Sequence, residues 1–353
     1  MAGGATKKGR RETTPSVLRQ ALLRKLGQRI VANGEVEFPC VPALLETYMA
    51  RLIALFESVG KPFSDDEFQN LKRAMDTVLT EGFRLSPQAR AVVAYRTQAP
   101  PEPGIVWRVR LEGQTMDEMY ASWVGARPPP LFGAYPDAKV MAVAKSLEAL
   151  GPVSVLDVGA GTGRNAIPLA RAGYAVTALE PVPAFVVELR KAAAAAGVSV
   201  AVLEGSALSP ELRLPEGAFK LAVLSEVVTH ARNRDEMLAL VSNVAAAVAP
   251  EGRILFNAFV ALEGYKPDPV ARQVSDIAGS AIFTRGELAA LTERLPLDLV
   301  SDESAHDYER AHLPAEAWPP TLWFEDWAHG RNVFALPPAK VPLELRWLEF
   351  RHR

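Results

Sequence analysis

Val155-Leu156-Asp157-Val158-Gly159-Ala160-Gly161-Thr162-Gly163 is a short apolar run that ends in a carboxylate and then three glycines at alternate positions. A buried parallel strand reads as a continuous run of β-branched residues and leucine. Glycines directly after such a strand let backbone approach a ligand closely. Arg164 to Ala172 then reads as a helix closed by Gly173. Strand, glycine turn and helix predict the first unit of a nucleotide-binding α/β domain. A second strand, Ala175 to Leu179, ends in Glu180, where a carboxylate can accept two hydrogen bonds from a ribose diol.

The spacing narrows the ligand. A dinucleotide fingerprint needs G-x-G-x-x-G with a helix N-terminus aimed at a pyrophosphate. Here the pattern is G-x-G-x-G, and Asp157 two residues before it would repel a pyrophosphate and suits a cation or an amine. VLDVGAGTGR followed by LEP resembles the first two motifs of class I S-adenosylmethionine-dependent methyltransferases. The resemblance implies that the turn Gly159, Ala160, Gly161, Gly163 and the following Asn165 lie against the methionine moiety of S-adenosylmethionine. Asp157 then contacts that moiety directly or through water, and Glu180, with Pro181 beside it, holds the ribose hydroxyls. After the third strand, Glu204-Gly205-Ser206-Ala207 stands where the family commonly has Gly-Asp-Ala, whose acid meets the adenine amine. With Ser206 in place of that acid, a hydroxyl or a backbone group is left to pair with adenine, next to Ala207. Ser225, at the end of the fourth strand, completes the expected cofactor set, and the product is S-adenosylhomocysteine. No metal ligand set is expected.

With 353 residues, 49% of them hydrophobic, and a formal net charge of −2, the chain has ample core for one large or two ordinary domains. No broad positive charge points to nucleic acid, and no apolar run is long enough to span a bilayer, so neither nucleic acid nor membrane is expected as a partner. Residues 1–13 are polar, with Lys7, Lys8, Arg10 and Arg11 but no apolar segment after them; they read as a disordered tail rather than a secretory signal. The single cysteine, Cys40, excludes an intrachain disulfide framework and fits a reducing, cytoplasmic setting. Beside an apolar helix start, it reads as a small buried hydrophobe.

Residues 14–104 read as a helical N-terminal module. Thr14-Pro15 opens a helix with Leu18, Ala21, Leu22, Leu26 and Ile30 at helical spacing. Ala43 to Val59 forms a second, and a Ser64/Glu67 capping box starts a third. Each shows one apolar stripe, which predicts packing on a partner surface. Residues 105–134 read as a linker and lid: a strand over Ile105–Leu111, then a short amphipathic helix with Tyr120 and Trp123. From 135 to 353, Asp137 caps a helix, and strands follow at 153–158, 175–179, 198–203, 220–225, 253–258, 297–301 and 341–347. Helices alternate with the first five. This predicts an α/β fold with a doubly wound, mostly parallel sheet of seven strands, and the family's last strand is antiparallel.

Methyl transfer requires alignment of acceptor and donor, exclusion of water and, for hydroxyl or ammonium acceptors, removal of a proton. Three side chains are candidates for that work. His230, soon after the fourth strand, suits a general base at neutral pH or a histidine that orients the loop. Glu226 suits an ammonium acceptor or a cap for the following helix. Tyr120, with Trp123, suits a cover for the sulfonium or ordinary helix packing. Trp318, Trp323, Phe324 and Trp327 crowd an insertion between the last two strands, as an acceptor pocket wall or a small satellite core. The expected acceptor is a nitrogen or oxygen nucleophile of a small molecule. The alternatives are a polypeptide acceptor docking through the N-terminal helices, and a cofactor-binding scaffold without turnover.

Overall fold

The computed structural model describes residues 14–61, 63–101, 104–127, 130–209 and 211–353. The tail expected at 1–13 lies outside the described residues. The chain forms two compact units, one comprising the chain up to Arg84 together with Ala89–Gly113, the other Leu85–Gln88 and Gln114–Arg353.

In the first unit, helices α1 (Pro15–Gly27), α2 (Leu45–Ser58) and α3 (Asp65–Leu85) occupy the expected segments. They are joined by a three-stranded antiparallel sheet that the helical reading missed: β1 (Asn33–Pro39), β2 (Arg90–Gln98) and β3 (Gly104–Glu112), in that spatial order. The expected strand at 105–111 is β3, paired along its length with β2; the break between units therefore falls after Gly113, not before the strand. One face of the sheet, with Phe38, Ala91 and Val93, packs on Met49, Leu52 and Phe56 of α2 and Leu71, Met75 and Leu79 of α3. Ser64 and Glu67 do form the capping box, with Glu67 Oε2 accepting from the Ser64 N–H at 2.9 Å. Helix α1 departs from expectation. Its apolar residues Leu18, Leu22 and Leu26 are exposed and none of its residues is buried. Cys40 is buried, and burial pushes its thiol up to about 11, which keeps it protonated and inert.

In the second unit, α4 (Met116–Ala126) and α5 (Ala138–Ser146) precede the large sheet. Its strands are β4 (Ser154–Val158), β5 (Ala175–Glu180), β6 (Ala201–Glu204), β7 (Phe219–Leu224), β8 (Val248–Ala261), a two-residue β9 (Ile282–Phe283), β10 (Leu297–Ser304) and β11 (Leu343–His352). The spatial order is β6-β5-β4-β7-β8-β11-β10, with β9 paired to the far end of β8. Strands β4 to β8 pair in parallel, and β11 runs antiparallel to both β8 and β10. Helices α6 (Ala166–Arg171), α7 (Pro183–Ala195) and α8 (Arg234–Ala247) make the crossovers between the parallel strands. Helices α9 (Pro269–Ile277) and α10 (Arg285–Arg294) follow β8, and α11 (Ala305–His312) and α12 (Phe324–Ala328) fill the insertion before β11.

Two apolar layers sandwich the sheet, because a strand buried on both faces must bury every side chain. Val155 and Val223 join Val140, Leu169 and Leu189 on one side, while Leu156 and Ala222 join Val241 and Leu291 on the other. The order of crossovers reverses at β4, which has β5 on one side and β7 on the other. The carboxyl ends of these three strands therefore border a crevice at the switch point.

One expected cap is replaced. Asp137 makes no side-chain bond to the N-terminus of α5. Glu309 of α11 does so instead, its carboxylate accepting from the N–H groups of Ala138 at 2.7 Å and Lys139 at 3.2 Å. Asp137 turns into the site below.

Candidate active site

At the C-terminal ends of β4, β5 and β7 lies a cavity of about 630 Å³. The glycine turn forms its floor for conformational and steric reasons. Gly159 and Gly161 have φ of +65° and +55°, in the left-handed region that favours glycine. A Cβ on Gly159 would stand 2.5 Å from Val227 Cγ2, and one on Gly161 3.2 Å from the Phe132 ring. The turn is thus closed between the loop after β7 and the segment after α4, with bare backbone left for a ligand. Gly163 also has positive φ, but its Cβ position faces Ile167 at 2.8 Å. It lines a smaller cavity of about 320 Å³ behind the turn. Of the residues expected around the cofactor, Gly163 alone is absent from the main cavity lining: its part is to let the chain enter α6.

Asp157 and Glu180 stand at the ends of adjacent strands, both buried and both lining the cavity. Glu180 accepts from the Gly161 N–H at 2.8 Å through Oε2 and from the Val182 N–H at 2.9 Å through Oε1. Each carboxylate oxygen accepts more than one bond, so a hydroxyl pair can still be met. Asp157 Oδ2 is buried without a hydrogen-bond partner. Burial, reinforced by the nearby Asp137 carboxylate and opposed by Arg164, pushes Asp157 up to about 7. An unpartnered buried carboxylate facing a cavity is a receptor for a cation or an N–H donor. Ser206 and Ala207, after β6, also line the cavity, as do Ala160, Asn165, Pro181 and Ser225.

A buried polar network that the sequence reading did not anticipate links these residues. Asp137 binds Arg164 Nη1 at 2.9 Å and accepts from Asn165 Nδ2 at 2.9 Å and from Ser225 Oγ at 2.7 Å. Arg164 Nη2 donates to Glu226 Oε1 at 2.7 Å. The backbone N–H of Glu226 donates to Asn257 Oδ1 at 2.7 Å. It caps no helix: the side chain that caps α8 is Asn233, which resolves one of the two readings of Glu226. Burial raises the Glu226 carboxyl above its ordinary range, and Arg164 opposes that shift.

His230 follows in a short 3₁₀ turn, Val228–His230, that leaves its ring open to the cavity. The surrounding protein mass lowers its pKa, which keeps the imidazole neutral at physiological pH. A Cβ on Gly279 would approach the His230 ring at 3.3 Å, so the turn after α9 passes against it.

Helix α4 opens with a Thr115/Glu118 capping box and brings Tyr120 and Trp123 over the cavity. The rings meet edge to face at 5.1 Å, Tyr120 reaches Phe185 at 5.4 Å, and Phe185 meets Phe132 at 5.2 Å. Phe132 and Phe185 went unnoticed in the sequence because they lie 53 positions apart and share no periodic pattern. Burial, with the Glu180 and Glu226 carboxylates, pushes the Tyr120 phenol up to about 12, so it remains a hydrogen-bond donor. The second aromatic set divides. Trp323 and Trp327 line the cavity, whereas Trp318 and Phe324 pack on each other at 5.7 Å.

Among the described residues, no group of three or more His, Cys, Asp or Glu is placed to hold a metal ion, and no helix is long and apolar enough to cross a membrane.

Residues 155–252 match the family model for a methyltransferase domain. No curated protein matches the chain. Among solved structures, a geranyl diphosphate C-methyltransferase from Streptomyces coelicolor A3(2), in complex with Mg2+, geranyl diphosphate and S-adenosyl-L-homocysteine, is 14% identical, with a TM-score of 0.47, covering 67% of this chain and 97% of that one. The [4+2]-cyclase SpnF is 19% identical, with a TM-score of 0.47, covering 67% of this chain and 94% of that one.

Proposed function

We propose that the chain, whose residues 155–252 match a methyltransferase domain, is an S-adenosylmethionine-dependent methyltransferase that methylates a nitrogen or oxygen nucleophile of a small molecule held in the 630 Å³ cavity. The observation that carries this reading is that Glu226 and His230 line one cavity with Tyr120, Trp123, Trp323 and Trp327. Such a chamber suits a compact acceptor better than a segment of polypeptide.

The residues present fit the cofactor. The unpartnered Asp157 Oδ2 suits its ammonium group, and the bare backbone of Gly159 and Gly161 lines the same cavity. Glu180, with Pro181, takes the ribose, and Ser206 with Ala207 takes the adenine end. Asn165 and Ser225 act through Asp137, which they bind directly. When bound, the cofactor supplies an electrophilic methyl group on a sulfonium. The chain's own residues then exclude water, orient the acceptor and receive its proton. Tyr120 and Trp123 cover the chamber, Glu226 orients, and His230 takes the proton as a neutral imidazole. The polypeptide-acceptor and scaffold readings gain no support from a particular contact.

The test is incubation of the protein with methyl-labelled S-adenosylmethionine and cell extract, followed by size separation. Label is expected in the low-mass fraction. Label confined to protein or nucleic acid, or none above a protein-free control, would refute the proposal.

A further inference from the structure

Glu226 ends β7 in left-handed backbone, at φ +59°, although it is not glycine. A residue with a Cβ persists there only where its surroundings hold it, and such positions cluster at functional sites. Three contacts hold this one. Its N–H donates to Asn257 Oδ1 at 2.7 Å, its carbonyl accepts from Thr229 Oγ1 at 3.3 Å, and its Oε1 accepts from Arg164 at 2.7 Å. Arg164 is itself fixed by Asp137. The other carboxylate oxygen, Oε2, makes no hydrogen bond among the described residues, and the residue borders the cavity.

The surroundings of that oxygen define what it can receive. Val227, Ala231, Ala278 and the rings of Trp323 and Trp327 line the same cavity. Its lining cations are Arg164, already bonded to Asp137, Ser225 and Glu226, and Arg127. Arg127 lies 3.8 Å from the Trp123 ring centroid and also borders the smaller cavity behind the glycine turn. An anionic acceptor beside Glu226 would meet its carboxylate, and the cation bonded there, Arg164, is already shared with Asp137 and Ser225. A neutral acceptor without an N–H or O–H would leave that carboxylate oxygen unpaired, and a hydroxyl would pair with it without offsetting its charge. A cationic acceptor satisfies the carboxylate and draws on the aromatic faces as well.

We infer that the acceptor is an apolar or aromatic small molecule bearing a protonated amine, that Glu226 selects it, and that Asn257 and Arg164 are positioning residues for Glu226. This inference rests on the methyltransferase reading. An ammonium has no lone pair to offer, so one N–H proton must leave before transfer. It passes to the neutral imidazole of His230, which becomes imidazolium as the amine becomes a neutral nucleophile.

The experiment is titration calorimetry on the full chain saturated with S-adenosylhomocysteine, using isosteric probes: phenethylamine, phenethyl alcohol and hydrocinnamate, and the corresponding indolyl amine, alcohol and acid. The amines are expected to bind roughly tenfold or more tightly than the alcohols and acids, as one desolvated charged pair implies. Glu226→Gln is expected to remove that preference. Wild-type protein without an amine preference, including one that binds no probe, overturns the inference, as does a preference that survives Glu226→Gln. The wild-type series decides by itself should that variant not fold. If S-adenosylhomocysteine does not bind the wild-type chain, the cofactor reading falls and this inference with it. If it binds and the amines are not preferred, only the acceptor class is overturned.

Discussion

Asp157 stands near the end of β4 between the buried Leu156 and Val158, so its carboxyl is buried wherever the sheet forms. Its raised pKa, about 7 against an ordinary 3.8, has a definite sign. The folded, ligand-free protein holds this proton more tightly than the unfolded chain, so the stability it confers is present at low pH and is lost as pH rises from about 4 to about 7. A cationic ammonium placed beside it favours the ionised form. Binding of S-adenosylhomocysteine at about pH 6 should therefore release close to one proton, read as a dependence of binding enthalpy on the buffer's ionisation enthalpy. Asp157→Asn should abolish the release; a wild-type enthalpy that does not change between buffers would sink the assignment. Asp157, Gly159, Gly161 and Glu180 were legible in the sequence because their roles follow from local backbone: a strand end, then a turn that needs positive φ. Asp137, Arg164 and Asn257 were not legible. Each acquires its role from partners at the ends of other strands, as Arg164 does from Glu226, 62 positions away.

At the scale of elements, α12 shows how one aromatic run serves two purposes. Trp327 is 8% exposed and stands edge-on to Phe259 of β8 at 5.1 Å, while Trp323, four residues earlier, is 43% exposed beside the cavity. Trp327→Ala should cost about 3–5 kcal/mol of stability, as expected for a truncated core aromatic. Trp323→Ala should leave stability within about 1 kcal/mol and weaken the binding of acceptor-like amines. Urea unfolding of the two variants separates these outcomes, and equal losses would show that the helix is a plain satellite core. The sequence placed all four aromatics in the right insertion and could not divide them. A five-residue helix has too few turns for a stripe to reveal which face meets the sheet. The N-terminal strands were missed for a related reason. β2, Arg90–Gln98, has Ala91, Val92 and Val93 buried in succession, so it lacks the alternation that marks a strand open on one face.

At the scale of the molecule, every described residue lining the main cavity belongs to the second unit. Calorimetric unfolding is expected to show a transition that rises with S-adenosylhomocysteine and another that does not. At a ligand concentration about a hundred times the dissociation constant, the first gains about 2.7 kcal/mol, a shift of several degrees. Transitions that move together by the same amount would refute this. The seven longer strands of the second unit were read from the alternation of elements, whereas their spatial order and the added two-residue β9 come from the pairing in the structure. The sequence by itself determined the cofactor class and the sheet, both of which depend on the spacing of neighbouring residues. Only the tertiary structure decided that Asp137 leaves its helix cap to Glu309 and turns to Arg164. The same holds for Glu226, which enters the cavity in left-handed backbone, and for the first unit's helices, which rest on a sheet. These outcomes turn on which distant groups are buried together, and a buried charge takes whichever partner the fold brings within reach.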